Sequence, residues 1–258
     1  MSNNVKVLVE NQLAHILLNR PDKLNALSSD LIKELTENLT ALEKDPEVKI
    51  ILLSGEGKSF CTGGDLDQMS NDGGIMDTFK IMEQAIPLTN ALINLEKIVV
   101  SAVHGYAAGA GFSIALACDF VIADRSAKFA SSFTNVGLIP DLGLIKLLSQ
   151  RLPLPIAKEW IITGKAITSE EALAKGMVNK ISENNLIEEA KDFCRTVSKG
   201  SPMSNKYAKY LLNHASHMDW ETALMHEKMI QTILLSTMDH KEGIQAFLEK
   251  RVPNFQGK

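Results

Sequence analysis

Residues 97–119 read KIVVSAVHGYAAGAGFSIALACD. A short apolar and β-branched run comes first, a glycine-rich turn follows it, and an alanine-rich run that favours a helix ends the segment. Gly109, Ala110 and Gly111 have little or no side chain, so a substrate can approach the main chain where a helix begins and its N–H groups are unpaired. The stretch therefore predicts a strand, a turn and a helix whose start suits a negative or developing negative oxygen.

Other interpretations of this stretch compete with anion binding. Close packing of a buried helix against a sheet would by itself explain the small residues. A dinucleotide-binding turn would need glycine at Ile114 and an acidic residue about 20 positions further on, after a second strand, and the sequence has neither. A serine-hydrolase elbow would place its serine at the end of the strand, whereas GYAAGAG separates the strand from Ser113.

A second stretch, residues 49–66, repeats the pattern of the first. It reads KIILLSGEGKSFCTGGDL and aligns with residues 97–114 at a constant offset, so that Gly63 matches Gly111. This similarity indicates an internal structural repeat. Two such strand-to-turn units side by side would direct two main-chain N–H groups at one point, which is what an oxyanion hole requires.

Four segments in a fixed order resemble the crotonase superfamily, also called the enoyl-CoA hydratase/isomerase family. They are NRPDKLNAL (19–27), SFCTGGDL (59–66), HGYAAGAGFSIALACD (104–119) and KFASSFTNVGLIPDLG (128–143), and the tail EGIQAFLEKRVPNFQGK (242–258) is also similar. The resemblance covers nearly the whole chain. It implies an α/β fold, with a crotonase-like spiral core of repeated strand-strand-helix units over residues 1–195. A C-terminal helical trimerisation region would follow over residues 196–258.

The bulk composition fits a soluble globular protein. Of 258 residues 45% are hydrophobic, enough for a sizeable core, and a net charge of -4 without a basic block argues against a nucleic-acid partner. Cys61, Cys118 and Cys194 are few and widely spaced, which favours reduced thiols. The start, MSNNVKVLVE, has no apolar signal core, and no run approaches roughly 18 apolar residues. From these features we expect a cytoplasmic protein without a membrane partner, and the resemblance implies neither a metal nor a redox cofactor.

The apolar pattern predicts the remaining elements. Two β-prone runs at 5–9 and 14–18 indicate an opening hairpin, and Ser28 can cap a helix with a buried leucine stripe. Further predictions are a loop at 71–74, a helix to Leu95 that is interrupted at Pro87, strands at 120–123, 128–133 and 178–181, and a helix after a turn at 137–143. From about Leu154 onward the pattern is otherwise helical.

The resemblance also implies the substrate and its contacts. An acyl-CoA thioester is the substrate, coenzyme A being part of it rather than a cofactor, and main-chain groups near Ala26 and Leu27 would hold the adenine. In a homo-oligomer, a trimer or a dimer of trimers, Phe247 and Lys250 would reach the coenzyme A of an adjacent active site. The other substrate-binding residues that the match implies are Lys23, Gly63, Asp65, Leu66, Gly109 and Phe133. Asp65 is also expected to cap a helix.

Gly64 and Ala110 are the oxyanion-hole donors that the resemblance implies, through their main-chain N–H groups. Two such donors stabilise the enolate oxygen that forms when the thioester loses an α-proton, and each contributes roughly 10² to 10³ in rate. Typical hydratases of the family use two glutamates to hold a water, and the matching positions here are Ser113 and Phe133. Neither is a carboxylate base, which argues against simple hydration of an enoyl thioester.

One carboxylate, Asp141 in VGLIPDLG, stands in a useful place. On local sequence alone it would be a helix N-cap, a common position for aspartate. In crotonase-like isomerases that resemble ring-1,2-epoxyphenylacetyl-CoA isomerase, an aspartate in the same LIPD setting is the acid/base group, and the hydratase glutamates are missing. The chain shares their GAG turn and the tail pattern EGxxAFLxKRxPxFxGK. We therefore predict an isomerase that moves a double bond with Asp141 as acid/base group.

Three alternatives stay open at this point. An enoyl-CoA hydratase with an atypical water site and a non-catalytic acyl-CoA-binding protein both remain, because Ser113 and Phe133 replace the glutamates. A serine esterase that uses Ser113 would need a histidine placed beside it by the fold.

Overall fold

The computed structural model describes residues 4–69 and 74–258, which form two β-sheets and surrounding helices. The strands are β1 (Val5–Glu10), β2 (Leu13–Leu18), β3 (Ile50–Gly55), β4 (Ile98–Val103), β5 (Tyr106–Ala108), β6 (Phe120–Ala123), β7 (Lys128–Ala130), β8 (Ala166–Thr168) and β9 (Lys180–Ile181). The helices are α1 (Ser29–Lys44), α2 (Leu66–Met69), α3 (Ile75–Asn94), α4 (Ala110–Ala117), α5 (Leu144–Arg151), α6 (Leu154–Thr163), α7 (Ser169–Ala174), α8 (Leu186–Val197), α9 (Pro202–His214), α10 (Trp220–Leu235) and α11 (Met238–Glu249). Short 3₁₀ helices span Pro21–Lys23, Ser132–Val136 and Ala215–His217.

The strands form one long sheet and one short sheet. The long sheet has the order β1-β2-β3-β4-β6-β9 and the short one β5-β7-β8. The predicted hairpin is confirmed by the antiparallel pairing of β1 with β2, and the later pairs of the long sheet are parallel. Parallel neighbours require crossover connections, and here the chain passes through the short sheet or a helix before each return. This arrangement confirms the predicted α/β spiral of strand-strand-helix units.

The pairing of β3 with β4 confirms the internal repeat. Ile50 lies opposite Ile98, at the same offset at which the two sequence stretches align. Beyond these strands the first unit has two more residues than the second, and Cys61 pairs with Ala107. The number of residues that separates matching positions of the two units is therefore smaller at the turns than in the strands.

This change of offset corrects the prediction of which glycines correspond. A Cβ added to Gly109 would lie 3.6 Å from the Cα atom of Gly63, so the two glycine turns touch there. Gly111, which the sequence alignment matches with Gly63, instead lies inside α4 against Cys61. A Cβ at Gly111 would collide with the Cys61 carbonyl oxygen, which explains the need for glycine.

Two helices fix the position of the turns. At the start of α1, the Ser28 hydroxyl accepts a hydrogen bond from the Leu31 N–H at 3.2 Å, so the predicted cap is confirmed. The α1 leucines Leu31, Leu35 and Leu39 are fully buried, and burial of such a side chain contributes about 1.5 to 3 kcal/mol. Every residue of α4 is buried, so this helix lies in the core and its first residue, Ala110, is held there.

The predicted strand at 128–133 is wrong beyond Ala130. The 3₁₀ helix Ser132–Val136 follows instead, and Gly137 closes it in a left-handed conformation with φ 74°. The Gly137 N–H donates to the carbonyl groups of Phe133 and Thr134. Phe133 consequently lies on a tight turn rather than on a strand.

The predicted interruption at Pro87 is also wrong, because α3 continues through it. Proline removes one helical hydrogen bond, but Leu88 and Leu92 on the same helix are fully buried. Their packing stabilises the helix across the missing bond. Residues 71–73 of the predicted loop at 71–74 lie outside the described residues, and Gly74 directly precedes α3.

The short strands β5 and β8 are not predicted by the sequence. Strands of three residues are too short to show an alternating pattern. The predicted strand at 178–181 is confirmed only for Lys180–Ile181, and Val178 packs in the core.

A buried ion pair joins the C-terminal helices to the spiral core. Lys209 on α9 lies 2.8 Å from the Asp119 carboxylate and also donates to the carbonyl groups of Leu92 and Lys97. Only 5% of the Lys209 side chain is exposed, so loss of either charge would leave the other buried and unpaired. The contact fixes α9 against β4 and the end of α3.

The three cysteines are free and buried. Burial raises the pKa of each thiol to about 12, so the thiols stay protonated at neutral pH. Within residues 4–69 and 74–258, no group of three or more His, Cys, Asp or Glu side chains is placed to hold a metal ion. None of the described helices combines the length and the apolar composition needed to cross a bilayer.

Candidate active site

A cavity of about 420 Å³ opens where the two glycine turns meet the start of α4. Its wall consists of Lys23, Ala26, Thr62, Gly63, Gly64, Asp65, Asp67, Gly109, Ala110, Ser132, Phe133, Asn135, Val136, Leu138 and Asp141. The fold thus brings Gly64, Ala110 and Asp141 to one cavity from three separate segments of the chain.

The main-chain N–H of Gly64 makes no hydrogen bond within the described residues. The Leu27 N–H donates to the Gly63 carbonyl at 2.7 Å, and the Asp65 N–H donates to the Leu27 carbonyl at 3.1 Å. These two bonds hold the chain on both sides of Gly64 and leave its own N–H available at the cavity wall.

The N–H of Ala110 is also unpaired within the part of the chain that the structure describes. Ala110 is the first residue of α4, where a helix has no internal acceptor for its N–H groups. The preceding Gly109 has φ 52° and ψ -129°, a conformation that other residues rarely adopt. A Cβ on Gly63 would lie only 3.4 Å from the Ala110 nitrogen, so the two turns place both N–H groups at neighbouring points.

The Asp141 carboxylate is not a helix cap. Helix α5 begins at Leu144 with Gly143 as its N-cap, and Asp141 contributes only its main-chain carbonyl, which accepts from the Leu144 N–H. The N-cap interpretation of the sequence is therefore wrong. The carboxylate oxygen Oδ1 is buried without a hydrogen-bond partner among the described residues.

The environment of Asp141 favours its protonated form. Burial raises the pKa of this carboxyl above 3.8, and a hydrogen bond from its own main-chain N–H opposes the shift more weakly. A raised pKa brings a carboxylate closer to the pH at which it can both accept and return a proton.

Two hydroxyl groups hold the loop that carries Asp141. The Ser113 hydroxyl donates to the Asp141 carbonyl at 3.0 Å, and the Thr89 hydroxyl donates to the Leu142 carbonyl at 3.3 Å. The tight turn at Leu142 and Gly143, with φ 47° and 84°, is thereby tied to α4 and α3. These contacts hold the main chain that carries the Asp141 carboxylate.

The same geometry excludes Ser113 as a serine-hydrolase nucleophile. Ser113 is fully buried, and its hydroxyl contacts only the carbonyl oxygens of Asp141 and Gly109. No histidine within the described residues is placed to take the hydroxyl proton. The serine-esterase alternative therefore lacks its base.

The other carboxylates of the cavity wall have cationic partners. Asp65 lies 2.8 Å from the Arg20 guanidinium, and Asp67 lies 2.7 Å from the Lys23 ammonium. Among the described wall residues, Asp141 is the carboxylate without a cationic partner. Phe133 is buried on the same wall, with its ring 3.9 Å from a Cβ position on Gly109.

A family model described as enoyl-CoA hydratase/isomerase matches residues 9–258. The chain belongs to the enoyl-CoA hydratase/isomerase family. This match confirms the resemblance to the crotonase superfamily, and the protein is an acyl-CoA enzyme of that family.

Relatives in this family include both hydratases and isomerases. The short-chain-enoyl-CoA hydratase of Clostridium acetobutylicum is 36% identical over 255 residues, which cover 96% of each chain. The 1,2-epoxyphenylacetyl-CoA isomerase of Escherichia coli K12 is 35% identical over 254 residues, which cover 97% of each chain. A crystal structure of an enoyl-CoA hydratase from Polaromonas sp. JS666 has a TM-score of 0.94 and 33% identity, over 97% of this chain and 99% of that one.

Most of the substrate-binding residues predicted for this family enzyme lie on the cavity wall. They are Lys23, Ala26, Gly63, Asp65, Gly109 and Phe133. Leu27 is hydrogen-bonded to Gly63 just behind the wall. Leu66 is the first residue of α2, but its side chain lies outside the described part of the structure. Asp65 also accepts a hydrogen bond from the Asp67 N–H at 3.2 Å, as the predicted helix cap would.

Phe247 and Lys250 lie elsewhere, on and after α11. Phe247 is 82% exposed, and neither residue lines the cavity of its own chain. Their contact with the coenzyme A of an adjacent subunit stays a prediction.

Several wall residues are not predicted by the sequence. They are Thr62, Asp67, Ser132, Asn135, Val136 and Leu138. The 3₁₀ helix Ser132–Val136 brings three of them to the cavity, and the sequence pattern indicates a strand there. The sequence could have indicated Asp67, since it lies two positions after Asp65, which belongs to the first glycine unit. Its pairing with Lys23 could not be predicted, because Lys23 is distant in the chain.

Proposed function

We propose that this protein is an enoyl-CoA isomerase that shifts a double bond through a thioester enolate, with Asp141 as the acid/base group. The observation that carries the proposal is the Asp141 carboxylate, whose buried Oδ1 has no hydrogen-bond partner among the described residues and which has no cationic partner, in a cavity whose other described carboxylates are neutralised by Arg20 and Lys23. Isomerisation needs one group that removes a proton and returns it, and Asp141 is suited to both steps.

In the proposed reaction the N–H groups of Gly64 and Ala110 bind the thioester carbonyl oxygen. Asp141 takes the proton from the α-carbon, the electron pair moves into the carbonyl, and the enolate oxygen is stabilised by the two donors. Asp141 then returns the proton to the γ-carbon of the substrate, and the double bond comes to lie between the α- and β-carbons. The oxyanion donors contribute roughly 10² to 10³ each, and the base about 10² to 10⁴.

Hydration is the second candidate, favoured by the 36% identity to the Clostridium acetobutylicum hydratase. A hydratase must also hold and activate a water, a task that requires polar groups beside the double bond. The two positions at which the family places glutamates have an apolar ring, Phe133, and a hydroxyl, Ser113, that is bound to a main-chain carbonyl. Isomerisation therefore agrees better with the chemistry of these two positions.

The proposal is tested by offering the purified protein a 3-enoyl-CoA and crotonyl-CoA in parallel, with products separated by mass spectrometry. We expect the 3-enoyl-CoA to give a 2-enoyl-CoA of unchanged mass, and crotonyl-CoA to remain as it is. Product from crotonyl-CoA that is heavier by one water would favour the hydratase. No conversion of either thioester, together with binding of coenzyme A, would indicate a non-catalytic binding protein.

We further propose a division into a spiral core at 1–195 and a helical trimerisation region at 196–258. Helix α10 has no buried residue, although several of its side chains are apolar, and Trp220 at its start is 84% exposed. Exposed apolar surface of this extent is typical of contacts between subunits. Assembly into a trimer or a dimer of trimers would cover it.

Sedimentation at micromolar concentration is expected to give three or six times the mass of one chain. Trp220→Gln should shift the protein towards smaller species, because the exposed indole would lie in the contact. Leu8→Gln provides the control, since Leu8 is 62% exposed on the edge strand β1 and should not affect assembly. A fully active monomer would overturn the proposed assembly.

A further inference from the structure

An ion pair lies across the wall of the cavity. The Lys23 ammonium and the Asp67 carboxylate are 2.7 Å apart, and both residues line the cavity. Lys23 ends the 3₁₀ helix before α1, whereas Asp67 lies in α2, so the pair joins two separate segments. Both side chains are more than half exposed, and water or a ligand can therefore reach the pair.

The pair cancels positive charge where an anionic substrate would benefit from it. Lys23 is the cationic side chain among the described residues of the wall, and Arg20 behind it is held by Asp65. A coenzyme A thioester carries several phosphate charges, and cations on a cleft wall attract such ligands. Asp67 therefore places a negative charge beside the Lys23 ammonium group, which would otherwise attract a phosphate.

The two charges stabilise each other in the free protein. Asp67 raises the pKa of Lys23, and Lys23 lowers the pKa of Asp67. Both groups are thus charged at neutral pH, where the ion pair is present. A phosphate that binds the same ammonium must displace the carboxylate or remain close to it.

We propose that Asp67 is a specificity-determining residue that weakens the attraction of Lys23 for the phosphates of the thioester, an inference that rests on the acyl-CoA function proposed above. The free energy of binding a coenzyme A thioester then includes the cost of breaking the contact between Lys23 and Asp67. A pantetheine thioester with the same acyl group lacks the phosphates and does not involve this contact. Asp67 consequently sets how strongly the site distinguishes the two carriers.

Binding of butyryl-CoA and of butyryl-pantetheine to Asp67→Asn, measured by calorimetry, tests the inference. Asparagine has nearly the shape of aspartate and lacks its charge. We expect the Kd for butyryl-CoA to fall about two- to five-fold, the range for an exposed ion pair, so that the preference for the CoA carrier rises by that factor. The change should shrink at high salt, which screens exposed charges.

Asp22→Asn is the matched control, because Asp22 is an exposed acid directly beside Lys23 with no ion pair to it. It should change the preference less than Asp67→Asn does. A second control combines Asp67→Asn with Lys23→Met, where the gain should vanish. An unchanged or weaker preference in Asp67→Asn, or a gain that persists without Lys23, would overturn the inference.

The outcome separates this inference from the proposed reaction. If the protein binds butyryl-CoA and responds to Asp67→Asn but converts no 3-enoyl-CoA, the isomerase proposal fails and the role of Asp67 stands. If isomerisation is observed and the carrier preference does not change, only the role of Asp67 fails. If neither coenzyme A nor its thioester binds, both proposals are wrong.

Discussion

Asp141→Asn is expected to reduce isomerisation by about 10² to 10⁴ in kcat while coenzyme A thioesters still bind. Asparagine keeps the shape of the side chain but cannot accept a proton at neutral pH. Binding should persist, because it depends on the N–H groups of Gly64 and Ala110 and on the rest of the wall. Steady-state turnover of a 3-enoyl-CoA gives the first quantity, and calorimetry with butyryl-CoA gives the second.

The stability of the Asp141→Asn variant provides a check on this interpretation. Burial raises the pKa of Asp141 in the folded state above its value in the unfolded state. The free energy of unfolding therefore falls as the pH rises from the unfolded-state pKa through the folded-state pKa. At pH 7 the variant loses this unfavourable charge and should have a Tm equal to or above that of the wild type. A marked fall in Tm would instead indicate a structural role.

A charge-matched control is Asp30→Asn, which removes an exposed carboxylate in the first turn of α1. It should keep wild-type turnover. If Asp141→Asn also kept most of its turnover, the proposed base would be wrong.

The pH dependence of kcat/KM offers a second measurement on the same group. Asp141 must be ionised to take the α-proton, so activity should be lost as the pH falls through its pKa. Because burial raises that pKa, the loss should occur above 3.8, the ordinary value of aspartate. An acid limb at or below that value would contradict the raised pKa in the free enzyme.

Ala110→Pro is expected to reduce turnover by roughly 10² or more, because it removes one of the two proposed oxyanion donors. Proline is tolerated at the first position of a helix, where Ala110 lies, and glycine before it can adopt the conformation that proline requires. The α4 hydrogen bonds should therefore persist. Circular dichroism and the Kd of butyryl-CoA establish whether the variant is folded and how far ground-state binding is retained.

Ala110→Ser is the matched control for this substitution. It changes the buried side chain but keeps the N–H, so it should retain far more turnover than Ala110→Pro. Equal losses in the two variants would indicate that the Ala110 side chain, rather than its N–H, matters. A folded Ala110→Pro protein with wild-type turnover would exclude Ala110 as a donor.

Elements whose stabilisation is local are predicted well by the sequence. Helix α1 is an example, since its cap at Ser28 and its leucine stripe act within one helix. Prediction fails where distant contacts decide the outcome. Helix α3 continues through Pro87 because Leu88 and Leu92 are buried by other elements, and β7 ends early because Gly137 closes a turn around Phe133.

The sequence by itself determined the family, the two glycine units and the absence of carboxylates at Ser113 and Phe133. These features depend on residue type and on spacing along one segment. Only the tertiary structure decided that Gly63 meets Gly109, and that the Asp141 carboxylate caps no helix and keeps an unpaired buried oxygen. The physical reason is that hydrogen bonds, charge pairing and burial depend on distances between segments far apart in the chain. Periodicity and local propensity carry no information about those distances.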